Sequence, residues 1–224
     1  MKISTDAFLN ASRWSILPAA TFFAAISILH SYSGVGQSPS VHLINNPWVS
    51  RASFTPDGNA YLPNGFRRWE HVGTRVKTSG RSILDGSVIL RPQVLDTYIE
   101  PSAFIEYKKT GTWPDGTQIV KELSIIKLGK NCDKITFACS TPAGPGIFED
   151  SFIGVGMMVK DGKRFPNAAG NWGYFRFLAS GPRYAGTSAV VPANQCQSCH
   201  VRFASKEDYV FTDTHIGLTS ANTH

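Results

Sequence analysis

The sequence predicts a mainly β (α+β) domain, an antiparallel sheet of about five strands with a few short helices, one of them carrying a Cys-x-x-Cys-His motif. Three observations lead there. Five segments have strand character, turn chemistry separates several of them, and only two short stretches read as helix. The strands are predicted over residues 69–76, 94–100, 118–128, 153–160 and 172–178. Pro114-Asp115-Gly116 and Lys160-Asp161-Gly162 are turn sequences, because proline presets one dihedral and glycine accepts the left-handed one.

The first helix is predicted over 102–108, after Pro101 and with Ser102 as its N-cap. The second is predicted over 194–204 and carries the cysteine motif. No internal repeat and no second domain is visible. Residues 61–224 form one domain of ordinary size, preceded by an arm over 34–60 rich in Ser, Pro, Asn and Gly, which resembles a linker or a loosely packed segment.

The first 33 residues read as an export signal or a signal anchor. Lys2 and Arg13 precede the apolar run 14–29, and small and polar residues follow it. Sixteen residues is short of the roughly 20 that span a bilayer as a helix. There is no clean Ala-x-Ala cleavage site, so an uncleaved anchor stays open, and a membrane is a partner only in that case. Either way the chain is exported, to the periplasm. A net charge of +6 suits an acidic redox partner or simply a soluble surface. No basic run interleaved with aromatics marks a nucleic-acid groove.

Cys196-Gln197-Ser198-Cys199-His200 has the spacing of c-type haem attachment. Two thiols one short turn apart can add across the two vinyl groups on one porphyrin edge. The histidine that follows can then coordinate the iron as axial ligand. A structural disulfide or half of a zinc site uses the same two cysteines, and no second Cys/His pair with zinc spacing is present. The expected cofactor is one covalent haem c on Cys196 and Cys199, with His200 on the iron. Cys132 and Cys139 are expected to pair in an oxidising compartment, free thiols being the alternative.

The candidates for a sixth iron ligand are Met157, Met158, His42, His71, His215 and His224. The methionines sit in an apolar strand, where core packing is their ordinary role. The 24 residues after His200 contain no methionine, so the sequence predicts an open sixth position.

Several blocks in one order carry a resemblance: Phe66-Arg67-Arg68-Trp69-Glu70-His71-Val72-Gly73-Thr74, Tyr98-Ile99-Glu100-Pro101, Val120-Lys121-Glu122-Leu123, Val159-Lys160-Asp161, Asn171-Trp172 and Asp208-Tyr209-Val210-Phe211. With the segment 107–117 and the haem motif, they make residues 62–211 similar to the cytochrome P-460 family, which includes the cytochromes c′-beta. The resemblance implies a mainly β homodimer around one five-coordinate haem. In the P-460 branch a lysine makes a further covalent bond to the porphyrin rim, which changes the electronics of the haem and supports oxidation of hydroxylamine, with electrons expected to pass to an acceptor cytochrome. Lys121 matches that lysine. Read without the family, Lys121 beside Glu122 in an alternating strand is a solvent-facing ion-pair partner worth less than about 1 kcal/mol.

One departure bears on activity. A glutamate that relays protons in that branch corresponds here to Gly156, which supplies no base. An apolar pocket suits a neutral gas such as nitric oxide. The readings are therefore hydroxylamine oxidation first, a non-catalytic nitric-oxide-binding cytochrome second and plain electron transfer third.

Overall fold

The computed structural model describes residues 51–181 and 183–219. The export segment, most of the arm, His42 and His224 lie outside the described residues. Among the described residues no helix is long and apolar enough to cross a membrane.

Six strands form one antiparallel meander. They are β2 (Glu70–Lys77), β3 (Gln93–Ile99), β4 (Gln118–Ile126), β5 (Glu149–Lys160), β6 (Trp172–Ser180) and β7 (Arg183–Tyr184), each paired with the next. β1 (Ala60–Tyr61) pairs with β8 (Thr187–Ser188) in a separate ribbon. The five predicted strands are β2 to β6. β4 is central and covered on both faces, so nearly all of its residues are buried, which suits its run of branched side chains.

Alternate residues of each strand point to opposite faces. On one face Val120, Val155, Met157, Phe175 and Phe177 build a core closed by Phe66, Trp69 and Ala60. Phe54 packs on this core, its ring 6.0 Å from that of Phe175. Residues 51–60 are therefore seated on the sheet, where a loosely packed arm was expected. A turn in which Thr55 N–H donates to the Asn59 carbonyl folds them back, and the apolar surface of Phe54 and Ala60 supplies the driving force.

The same face holds a buried ion pair. Glu122, with its side chain 3% exposed, accepts two hydrogen bonds from Arg67 Nε at 3.1 and 2.9 Å and one from Arg67 Nη2. It also accepts one from the Tyr184 hydroxyl. The Arg67 guanidinium lies 4.7 Å from the Phe152 ring centre. Burial, and then its bond to Glu122, push the Tyr184 hydroxyl well above its usual range, so it stays a donor.

Helix α1 (Pro101–Thr110) is longer than predicted and is capped differently. The Glu100 side chain accepts from the backbone N–H of Ser102 and Ala103, and Pro101 opens the helix. Ser102 loses the cap position because a buried carboxylate is a stronger partner for these first N–H groups than a hydroxyl. Gly111 ends the helix at φ 73°, donating to the Tyr107 carbonyl. α2 (Cys196–Ala204) begins two residues later than predicted, and a short α3 (Ile216–Thr219) packs against β2. Cys132 and Cys139 are disulfide-bonded in the β4–β5 connection.

Removing one partner of a buried pair strands the other. Because Arg67 is itself 52% exposed, Arg67→Ala is expected to lower the unfolding free energy by about 2 kcal/mol, less than for a fully buried pair. A denaturant titration measures it. A loss under about 0.5 kcal/mol would mean that water satisfies Glu122 as well as Arg67 does.

Candidate functional site

The second face of the sheet carries the site. Register places side chains there in three parallel rows. Ile99, Ile119, Met158 and Tyr174 form the first, and Thr97, Lys121, Gly156 and Arg176 the second, with Gly73 of β2 extending it. Arg75, Leu95, Leu123, Gly154 and Leu178 form the third. Successive rows are about 7 Å apart. Above them lies a cavity of about 620 Å³, closed by the motif helix α2, by residues 81–86 and by His215 and Leu218. That volume is in the range of sites for cofactor-sized groups.

Cys196, Cys199 and His200 line this cavity from α2, and Lys121 lines it from the sheet. Both cysteines are free thiols. Arg176 donates to the Gln195 side chain at 2.7 Å and to Cys196 Sγ at 3.4 Å, which fixes the first cysteine against β6. The His200 ring lies 4.8 Å from both Tyr174 and Phe211. Its Nδ1 is 2.7 Å from the Tyr209 carbonyl oxygen. A carbonyl only accepts, so Nδ1 carries the proton and Nε2 keeps a lone pair. Burial lowers the His200 pKa, so the ring is neutral and ready to bind a metal.

Lys121 and Glu122 are sorted to opposite faces. Glu122 is taken by Arg67, and the surface Lys121 exposes belongs to the cavity. The solvent-facing ion pair expected from sequence alone is therefore absent from Lys121 among the described residues. Burial, and then the Arg75 guanidinium, pull the Lys121 amine down to about 8. Roughly a tenth of it is then unprotonated at pH 7, the form that can act as a nucleophile. Burial, with Lys121 and Arg75 nearby, lowers His215 to about 4, so this imidazole is neutral as well.

The other sequence candidates separate. Met157 and Met158 both border the cavity, but the Met157 side chain packs into the opposite core. His71 sits outside, 3.4 Å from Asp96. His215 is buried and lines the cavity. Cys132 and Cys139 do not line it. Glu149 is bonded to Ser124 and Asp150 to Arg91, both away from the cavity. A Cβ on Gly156 would meet Ile83 Cδ1 at 3.5 Å, ordinary contact, so the position has room for a side chain.

Four polar atoms at the cavity are buried without a partner: Thr97 Oγ1, Tyr174 Oη, Arg176 Nε and His215 Nδ1. Such atoms are rare in folded proteins, and their convergence on one cavity means that a polar guest belongs there. A porphyrin with two carboxylates, two free thiols for its vinyl groups and a neutral imidazole for its iron fits this donor set. Sequence reasoning missed Arg75, Thr97 and Arg176. A lone arginine in the apolar strand 172–178, two residues from Tyr174, was the available signal for Arg176.

A β-sheet pocket with these groups defines a mono-haem c-type cytochrome. The chain belongs to the Cytochrome P460 family, whose model matches residues 63–212. It carries one covalent haem c, as that family does. No curated protein matches it significantly.

Cys196 and Cys199 are the residues that would hold the haem by thioethers. The double variant Cys196→Ala/Cys199→Ala is expected to lose all haem that survives denaturation, read by haem staining of a denaturing gel. Retention of covalent haem would move the attachment elsewhere.

Proposed function

We propose that this cytochrome oxidises hydroxylamine at an open iron position and passes the electrons to an acceptor cytochrome, acting outside the cytoplasm as a homodimer. One observation carries the reading: Lys121 lines the same cavity as Cys196, Cys199 and His200, one row from Tyr174, against which His200 packs. When bound, the haem supplies an iron that takes electrons one at a time. His200 would hold that iron through Nε2, and Lys121 Nζ would be joined to the porphyrin rim as a third tether. Such a bond changes the ring's electronics and prevents the haem from shifting. Ile83 and Leu95 line the cavity with apolar surface and would help to keep water from a bound substrate.

A second reading is a cytochrome that binds nitric oxide without turnover. It is favoured by the missing base. Gly156 offers none, and Asp85 is the one carboxylate among the described residues that line the cavity. Asp85 accepts from Ser87 N–H at 3.0 Å and from its hydroxyl at 2.8 Å. These bonds hold it below the usual carboxylate range, which makes it a poor proton acceptor.

The two readings separate on the purified full-length protein. Hydroxylamine oxidation predicts a reduced-haem absorption band displaced from that of ordinary haem c, and dye reduction at about 1 per second or faster. Lys121→Met is expected to restore the ordinary band and abolish turnover while both thioethers remain. Gly156→Glu is expected to raise turnover about tenfold or more by restoring a base. An ordinary spectrum, a haem-peptide mass showing two thioethers only and no dye reduction would leave the gas-binding reading. A low-spin ferric spectrum would instead indicate plain electron transfer.

A further inference from the structure

Four residues outside glycine have positive φ among those described, and three of them meet at one place. Asp208 (φ 51°) and Tyr209 (φ 63°) are consecutive, and Asn171 (φ 63°) ends the turn beside them. A left-handed non-glycine residue is strained and persists where its surroundings enforce it. The enforcing contacts come from the β5–β6 hairpin. Lys160, the last residue of β5, is directly opposite Trp172, the first of β6. Lys160 Nζ makes an ion pair with the Asp208 carboxylate, and Trp172 Nε1 donates to the Asp208 carbonyl at 2.9 Å. Gly170 allows the hairpin turn to approach, since a Cβ there would lie 2.3 Å from the Tyr209 ring.

The result is a carbonyl placed where helical geometry would not put it. Tyr209 N–H returns to the Ala204 carbonyl at 2.7 Å, closing the end of α2. The reversed backbone then turns the Tyr209 carbonyl onto His200 Nδ1 at 2.7 Å. We infer that Asp208, clamped by Lys160 and Trp172, is a positioning residue that orients His200 through the Tyr209 carbonyl and so sets the reduction potential of the haem. An acceptor on Nδ1–H increases the electron donation of Nε2 and stabilises ferric over ferrous iron. The clamp thus lowers the potential, so the reduced haem gives its electrons up to an acceptor more readily. The inference rests on His200 being the iron ligand.

The test uses the haem-loaded full chain. Asp208→Asn and Lys160→Met are expected to fold and load haem, and to raise the midpoint potential by about 59 mV, a tenfold change in a one-electron equilibrium. Arg67→Ala, on the opposite face, destabilises the fold and is expected to leave the potential unchanged. Should both clamp variants fail to accumulate, the wild-type protein decides: the His200 Nδ1 proton in its NMR spectrum is expected to exchange with deuterated solvent slowly, and prompt exchange overturns the inference. Unchanged potentials in loaded Asp208→Asn and Lys160→Met overturn it too. His200→Gly distinguishes the two levels. If that variant keeps the wild-type spectrum and potential, the ligand assignment fails. If it changes both while the clamp variants change neither, only the clamp fails.

Discussion

A one-residue slip of β4 against its neighbours would turn Lys121 into the aromatic core and Glu122 into the cavity. The register forbids it, because on one face Val120 and Glu122 are opposed by Met157 and Val155 and closed by Arg67 and Phe66. Slipping would bury an amine among aromatics and expose a row of large apolar side chains, which is why a sheet with two buried faces specifies its register strongly. The position of Lys121, the open space at Gly156 and the contact of Arg176 with Cys196 all follow from this constraint.

The same sorting separates charge. The Glu122 carboxylate is neutralised away from the site, while Arg75, Lys77, Arg81, Lys121 and Arg176 line the cavity. The like charge of Arg75 reinforces the burial that lowers Lys77, Lys121 and His215. An apo cavity of this kind is electrostatically unfavourable, and a guest with two carboxylates relieves it. Haem loading therefore stabilises the fold beyond the packing it adds.

Backbone strain is concentrated where the chemistry needs orientation. The Asp208–Tyr209 turn is held by the far end of the β5–β6 hairpin, so His200 is steadied by the sheet against which its ring packs. A helix as short as α2, with no side-chain cap at its start, would not hold that ring alone.

Local rules were enough for the five central strands, the motif helix and the cofactor, because strand alternation, turn residues and thiol spacing act over a few residues. Lys121 was visible only through its resemblance block, since neighbouring positions in a strand look alike until a register assigns their faces. The true cap of α1 was misplaced by two residues, because Glu100 acts through a buried carboxylate whose burial is not local. The seating of residues 51–60, the placing of Arg75 and Thr97 at the cavity, and the clamp on Tyr209 had no sequence signature. Each depends on groups tens of residues apart, such as Lys160, Trp172 and Asp208, or on a backbone carbonyl that every residue possesses. The pattern that points to haem attachment at Cys196 and Cys199 and to an iron ligand at His200 lies in five adjacent residues; the orientation of His200 was decided only when the hairpin closed against the turn that follows it.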